Sequence, residues 1–211
     1  MPLESGAERQ WSPDPIGAER SEVPMNIGDE TLMQRYQAGD RSALEHLYLK
    51  YQGPLFNYIR RWVNDTARAE DILQEAFIRV INNARSFVPT GDGSFGGWLY
   101  KITTNLCKDK QRSRHQSLTK YEQRTTPKAF GGPRDYELDD KVQQSLDTLA
   151  PEQKEVVMLR VYGGLSFKEI SKVQDAPLNT VLARMHYALK NLRQKFGISH
   201  KDTKALRKAI E

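Results

Sequence analysis

Only one cysteine, Cys107, stands in the 211 residues, so no intramolecular disulfide can close and no cysteine-based metal cage can be built. The four histidines, His46, His115, His186 and His200, are scattered with no cysteine at ligand spacing. No metal and no cofactor is expected. Long apolar runs are missing as well: no uncharged stretch approaches the roughly 18 residues of a membrane span, which argues against membrane insertion. The N-terminus is broken by Pro and Glu instead of carrying an apolar signal core, and together these absences point to a reducing, cytoplasmic setting. Apolar residues are also scarce, 38% against 28% charged, so the cores must be small and part of the chain is expected to stay unpacked. Strand-like alternation is convincing nowhere.

What the chain does have is charge in blocks and apolar residues at helical spacing. Lys plus Arg number 32 against 27 acidic residues, a formal +5 that favours a polyanionic partner. Between Lys101 and Phe130 there are eight Lys or Arg against two acidic residues, whereas Asp135 to Glu155 holds seven acidic against two basic. Residues 1–27, with four prolines and no periodic face, read as a disordered tail with Trp11 as an incidental apolar residue. Helical periodicity then runs through Leu32 to Tyr36, Ala43 to Tyr51 and, after a break at Gly53-Pro54, Leu55 to Val63. A stronger stripe follows in Ala69, Ile72, Leu73, Ala76, Phe77, Val80 and Ile81. The loop VPTGDG (88–93) precedes another helix with two unlike faces. Phe95, Leu99, Ile102 and Leu106 share one of them, and Lys101, Asn105, Lys108 and Arg112 share the other.

Residues 114–138 read as a flexible polar linker, so the fold expected is all-α: two small helical domains, 28–113 and 139–197, followed by a basic extension over 198–211. In the second domain Leu138, Val142, Leu146 and Leu149 recur at helical spacing, and Pro151 opens a helix with Val156, Val157, Leu159 and Val161 that stops at Gly163-Gly164. Ser166-Phe167-Lys168-Glu169 fits a capping box, Gln174-Asp175-Ala176-Pro177 breaks the helix, and a longer helix follows with Val181, Met185, Ala188, Leu192 and Phe196 inward. That is a helix-turn-helix. Its second helix leaves Asn179, Thr180, Ala183, Arg184, His186, Tyr187 and Lys190 outward, a set of groups suited to base edges and phosphates.

Each of these features has a plainer reading. A helical hairpin with a solvated face would show the same periodicity. Asp71 and Glu75, four apart on one helix, are suited to hold a divalent ion for nuclease chemistry, yet nothing else in the chain completes such a site and a protein-binding or solvated face explains them better. Phe95, Trp98 and Tyr100 beside the basic helix suit unpaired bases, which stack for roughly 1–3 kcal/mol each, but packing competes for the same rings. Cys107 reads as a small buried filler. A stand-alone helix-turn-helix regulator would need a dimer interface to read two half-sites, and no heptad or additional helix supplies one.

Taken together the motifs resemble the extracytoplasmic-function (ECF) group of bacterial sigma factors. Asp71-Ile72-Leu73-Gln74-Glu75-Ala76-Phe77-Ile78-Arg79, then Phe95, Trp98-Leu99-Tyr100-Lys101-Ile102 and Asn105, look like that family's region two. Leu149-Ala150-Pro151-Glu152-Gln153, Gly164-Leu165-Ser166, Glu169-Ile170, Asn179-Thr180-Val181 and Arg184 look like region four. The resemblance implies a non-catalytic initiation subunit that binds core RNA polymerase, directs it to promoters and assists opening. It further implies that Asp71, Gln74, Glu75 and Arg79 dock on the polymerase. Phe95, Lys101, Asn105, Lys108 and Arg112 would serve the melted minus-ten element, and the seven outward residues of the last helix the minus-thirty-five duplex. An anti-sigma protein that clamps the two domains together is the regulatory partner the resemblance suggests. Leu182, Ala183, His186 and Tyr187 depart from the side chains that many relatives offer to DNA.

Overall fold

The computed structural model describes residues 27–89, 94–117 and 136–197. The tail before Ile27, the tip of the 88–93 loop, most of the linker and the C-terminal extension lie outside the described residues. Among those described, every regular element is helical. The order is α1 (Asp29–Gln37), α2 (Arg41–Val63), α3 (Thr66–Asn83), a short 3-10 turn (Ala84–Ser86), α4 (Phe95–Ser117), α5 (Tyr136–Leu146), α6 (Pro151–Val161), α7 (Phe167–Val173) and α8 (Leu178–Lys195).

Local chemistry sets most boundaries. Asp40 caps α2 by accepting from the Ser42 amide at 3.0 Å, and Asp65 caps α3 by accepting from the Arg68 amide at 3.2 Å. Between them Asn64 ends α2 in the left-handed region at φ 50°, a conformation that asparagine tolerates well. Gly53-Pro54 does not end a helix, contrary to expectation, because α2 runs through Pro54. Leu47 before the proline and Leu55, Phe56, Tyr58 and Ile59 after it are all buried in the same core, and this packing outweighs the lost backbone hydrogen bond. Helix α4 continues to Ser117 and α5 begins at Tyr136, so both ends of the expected linker are helical. Arg114 and Gln116 at one end and Glu137 and Leu138 at the other are good helix formers.

Helices α1 to α4 enclose the first core, around Met33, Leu47, Ile59, Ile72, Phe95 and Leu99, with the Tyr58 hydroxyl 2.6 Å from Thr104 Oγ1 inside it. Helices α5 to α8 enclose a smaller one around Val156, Met158, Leu159, Ile170 and Val181. The two cores are continuous, since α7 packs directly on α4. Ile81, Val161 and Phe196, expected inward, are exposed; the apolar stripes on α3, α6 and α8 are wider than the arc their neighbours cover.

The capping box of α7 forms in full. The Glu169 amide donates to Ser166 Oγ at 3.2 Å, and the Ser166 amide donates to Glu169 Oε2 at 2.7 Å. Ser166→Ala is therefore expected to lower stability by about 1 kcal/mol, read as a shift in the denaturant midpoint with an unchanged slope.

Candidate functional site

Three faces gather the candidate residues. On α3, Asp71 and Gln74 are exposed and Glu75 and Arg79 are half-buried, all along one side of the helix. Arg79 Nη2 lies 2.9 Å from Glu75 Oε1, and Lys110 reaches across from α4 to within 3.3 Å of Glu75 Oε2. Burial alone would raise the Glu75 carboxyl, but these two cations outweigh it and hold it below the ordinary glutamate range. Glu75 is thus an ionised group already paired to two cations, and among the described residues no group of three His, Cys, Asp or Glu gathers as a metal site would. Beside Gln74 a hollow of about 270 Å³ opens between α2 and α3, lined by Tyr48, Phe56 and Leu73 among others.

The second face is that of α4. Its start is held by two side chains that the local sequence does not pair: Glu30 of α1 accepts from the Phe95 amide at 3.0 Å, and Ser94 Oγ accepts from the Gly97 amide at 2.9 Å. A carboxylate at this end satisfies otherwise unpaired amides and suits the helix dipole. Lys101, Asn105 and Arg112 are exposed and Lys108 is half-buried, whereas Phe95 is fully buried. Its ring packs edge-on against Tyr51 at 5.5 Å and Phe87 at 5.9 Å. Of the residues expected at single-stranded DNA, Phe95 is the one whose side chain the fold turns into the core; the alternative reading of these rings, packing, describes it. Tyr100 is buried as well, while Trp98 is half-buried on the wall of a second hollow of about 270 Å³ that Lys101 also lines.

The third face is the exposed side of α8. Asn179, Thr180, Ala183, His186, Tyr187 and Lys190 are exposed, and Arg184 is half-buried with Nη1 3.0 Å from Gln174 Oε1. Gln174 in turn donates to the Glu152 carbonyl at 3.0 Å, so the turn of the helix-turn-helix is tied both to α6 and to the helix that follows it. Asp175 takes φ 49° in that turn, which lets seven-residue α7 reverse sharply into α8.

Two family models match the chain: Sigma-70 region 2 over residues 47–117 and Sigma-70, region 4 over residues 139–192. The chain is 31% identical to the RNA polymerase sigma-H factor of Pseudomonas aeruginosa over 174 residues, covering 76% of this chain and 89% of that protein. The chain belongs to the sigma-70 family. It is of the ECF type, being also 29% identical to the ECF RNA polymerase sigma-E factor of Escherichia coli K12 over 77% of this chain and 91% of that one. The same fold occurs in the sigma factor RpoE of Bartonella quintana, solved with the anti-sigma factor NepR, at a TM-score of 0.62 and 19% identity over 74% of this chain and 98% of that one. This protein is accordingly an alternative sigma factor that binds core RNA polymerase and directs it to promoter DNA, not a stand-alone regulator.

In this sigma factor the region 2 match takes in most of α2 and all of α3 and α4, and the region 4 match takes in most of α5, all of α6 and α7 and most of α8. Helix α1 precedes both, yet its Glu30 caps α4 and its Asp29 accepts from the Tyr51 hydroxyl at 2.6 Å. Burial, reinforced by that carboxylate, pushes the Tyr51 phenol well above its ordinary range. Sequence reasoning missed the polar side chains that join regions 2 and 4, namely Arg61, Gln143, Glu155 and the outer side of Glu169. Their partners lie 82 residues away in the first two cases and 75 in the last, beyond any local pattern.

Proposed function

We propose that region 2, taken as residues 28–113, offers Asp71, Gln74, Glu75 and Arg79 to core polymerase and Lys101, Asn105, Lys108 and Arg112 to the melted minus-ten element. Phe95 supports that helix from within the core. Region 4, taken as 139–197, offers Asn179, Thr180, Ala183, Arg184, His186, Tyr187 and Lys190 to the minus-thirty-five duplex. The observation that carries this reading is the separation of functions on two adjoining helices: an exposed polar face on α3 and a stripe of three cations and an amide on α4. A cationic stripe neutralises phosphates regardless of sequence, while the single exposed amide of Asn105 can discriminate a base edge. At the start of α8 the small exposed side chains of Asn179, Thr180 and Ala183 leave room for approach to the major groove.

On this reading the sigma factor performs no chemistry of its own and needs no cofactor; it selects the promoter and assists its opening, and the polymerase makes the RNA. It works beside the polymerase in the cytoplasm. An anti-sigma partner is part of the proposal, supported by the fold shared with a sigma factor bound to one.

The test is reconstitution. The purified chain is mixed with bacterial core polymerase and followed by gel filtration at stated moderate salt, because exposed ion pairs weaken as screening increases. A stoichiometric complex is expected, with Asp71→Lys/Gln74→Ala binding about tenfold or more weakly while unfolding as the parent does. Equal retention of the variant would remove α3 from the docking surface.

A further inference from the structure

Helix α8 carries more apolar surface than the rest of region 4 covers. Leu178, Leu182, Met185, Leu189, Leu192 and Phe196 recur at alternating spacings of four and three, a stripe that keeps to one side along the whole helix. Val181 and Ala188, beside it, are fully buried, and Met185 and Leu192 pack half-buried on the core. Leu178, Leu182, Leu189 and Phe196 are each 37% to 44% exposed. These four form a flank between the core side of α8 and the side assigned above to the duplex, where Asn179, Ala183, His186 and Lys190 stand exposed. A single surface leucine needs no occupant, whereas a contiguous row of large apolar side chains marks a contact surface.

The chain that follows is matched to this flank. Helix α8 ends at Gly197 in the left-handed region, φ 62°, with the Phe196 amide on the Leu192 carbonyl at 3.0 Å and the Gly197 amide on the Gln194 carbonyl at 3.3 Å. Such a cap turns the chain off the helix axis. Residues 198–211, outside the described residues, contain no Gly or Pro, and Ser199 and Asp202 stand at capping-box spacing. On a helix begun there, Leu206, Ala209 and Ile210 share one face, and Lys201, Lys204 and Lys208 the opposite one. A helix over 200–211 is about 18 Å long, close to the roughly 21 Å from Leu182 to Phe196.

We propose that the C-terminal extension forms a further helix, packed antiparallel on this flank of α8, and adds phosphate contacts to the duplex that α8 reads. Turned back at Gly197, it sets Leu206 against Leu189 and Ile210 near Met185 and Leu182, with Asp202 within reach of Arg193. The return brings Lys204, Arg207 and Lys208 toward the end of α8 that holds Asn179 and Ala183, beside the groove and not in it. Cations placed there neutralise backbone phosphates and add affinity, while the base edges stay with α8. A second copy of the chain is a poorer occupant. Helix α8 holds Arg184, Lys190, Arg193 and Lys195 and no carboxylate, so two such helices side by side repel, whereas the extension brings Asp202 and turns its lysines away. The inference rests on the assignment of α8 to the minus-thirty-five duplex.

Two measurements on the full-length chain separate the docking from the DNA role. In a Cys107→Ala background, free of polymerase and DNA, the thiol introduced by Leu189→Cys is followed with a bulky thiol reagent. It is expected to react about fivefold or more faster when the extension also carries Leu206→Glu/Ile210→Glu. Equal rates would overturn the proposal; a dimer in sedimentation would then name a second copy as the occupant, and protection gained only on adding core polymerase would name the polymerase. In the second measurement, holoenzyme with Lys204→Gln/Lys208→Gln is expected to bind promoter DNA about fivefold or more weakly at about 0.15 M salt, with a log-log salt slope shallower by about two. Lys190→Gln, on α8 itself, is the reference. Weaker binding by Lys190→Gln with none from the extension variant would overturn the phosphate role. No effect from either would remove the assignment of α8 to DNA, and the inference with it.

Discussion

Phe95→Ala is expected to destabilise the chain by about 4 kcal/mol, roughly a thousandfold in the folding equilibrium, without first passing through any loss of DNA contact. Phe95 is fully buried and sits among Tyr51, Phe87 and Trp98, with ring centres 5.5, 5.9 and 6.1 Å away. Truncation removes the aromatic surface and leaves a cavity that helix ends on either side cannot easily fill. The position is also the first residue of α4, whose amide is tied to Glu30, so the substitution loosens the helix that carries the basic stripe. Phe95→Leu keeps most of the apolar volume and is expected to cost under about 2 kcal/mol. Denaturant titration followed by circular dichroism checks both. A loss below about 1 kcal/mol for Phe95→Ala, with weaker DNA binding, would return this ring to the DNA surface.

Gly163→Ala should cost about 2–3 kcal/mol, a large effect for the addition of one methyl group. A Cβ at this position would lie 2.5 Å from the Leu159 carbonyl oxygen and 3.3 Å from the Tyr100 ring. The carbonyl cannot swing away freely, because it accepts from the Leu165 amide at 3.2 Å and so anchors the turn that leads into α7. Tyr100 in turn is held by its hydrogen bond to the Tyr162 carbonyl, so the added methyl strains both the turn and the contact between regions. Gly53 is the natural contrast. It lies inside α2 with no atom within 4 Å of a built Cβ, so Gly53→Ala is expected to stabilise by up to about 1 kcal/mol through backbone entropy and helix propensity. Parallel thermal unfolding of the two variants checks the pair; a Gly163→Ala protein as stable as its parent would mean that the turn relaxes around the methyl.

The helix-turn-helix was legible because its signals are local. A capping box, a proline and a 3.6-residue stripe all act within one or two turns of chain, and Ser166, Glu169 and α8 lie as those signals require. Gly53-Pro54 misled for the same reason. Read locally it breaks a helix, but the buried residues on either side of it face one core and carry α2 through. Phe95 was ambiguous because an aromatic ring beside lysines fits both a base and a core, and only the neighbours Tyr51 and Phe87, 44 and 8 residues away, decide between them. Glu155 gave no sign at all. It counts as one charge in an acidic block, and its burial against Lys108 depends on where α6 docks.

By itself the sequence determined the helical class, the two-domain order, the family and most of the polar surface groups, since periodicity, capping and motif spacing are properties of neighbouring residues. Tertiary structure alone decided which of those groups is free. Whether Lys108 meets water, a phosphate or Glu155 is set by the packing of one region on the other. That packing is a sum of contacts between residues 47 to 82 positions apart, which no local pattern encodes.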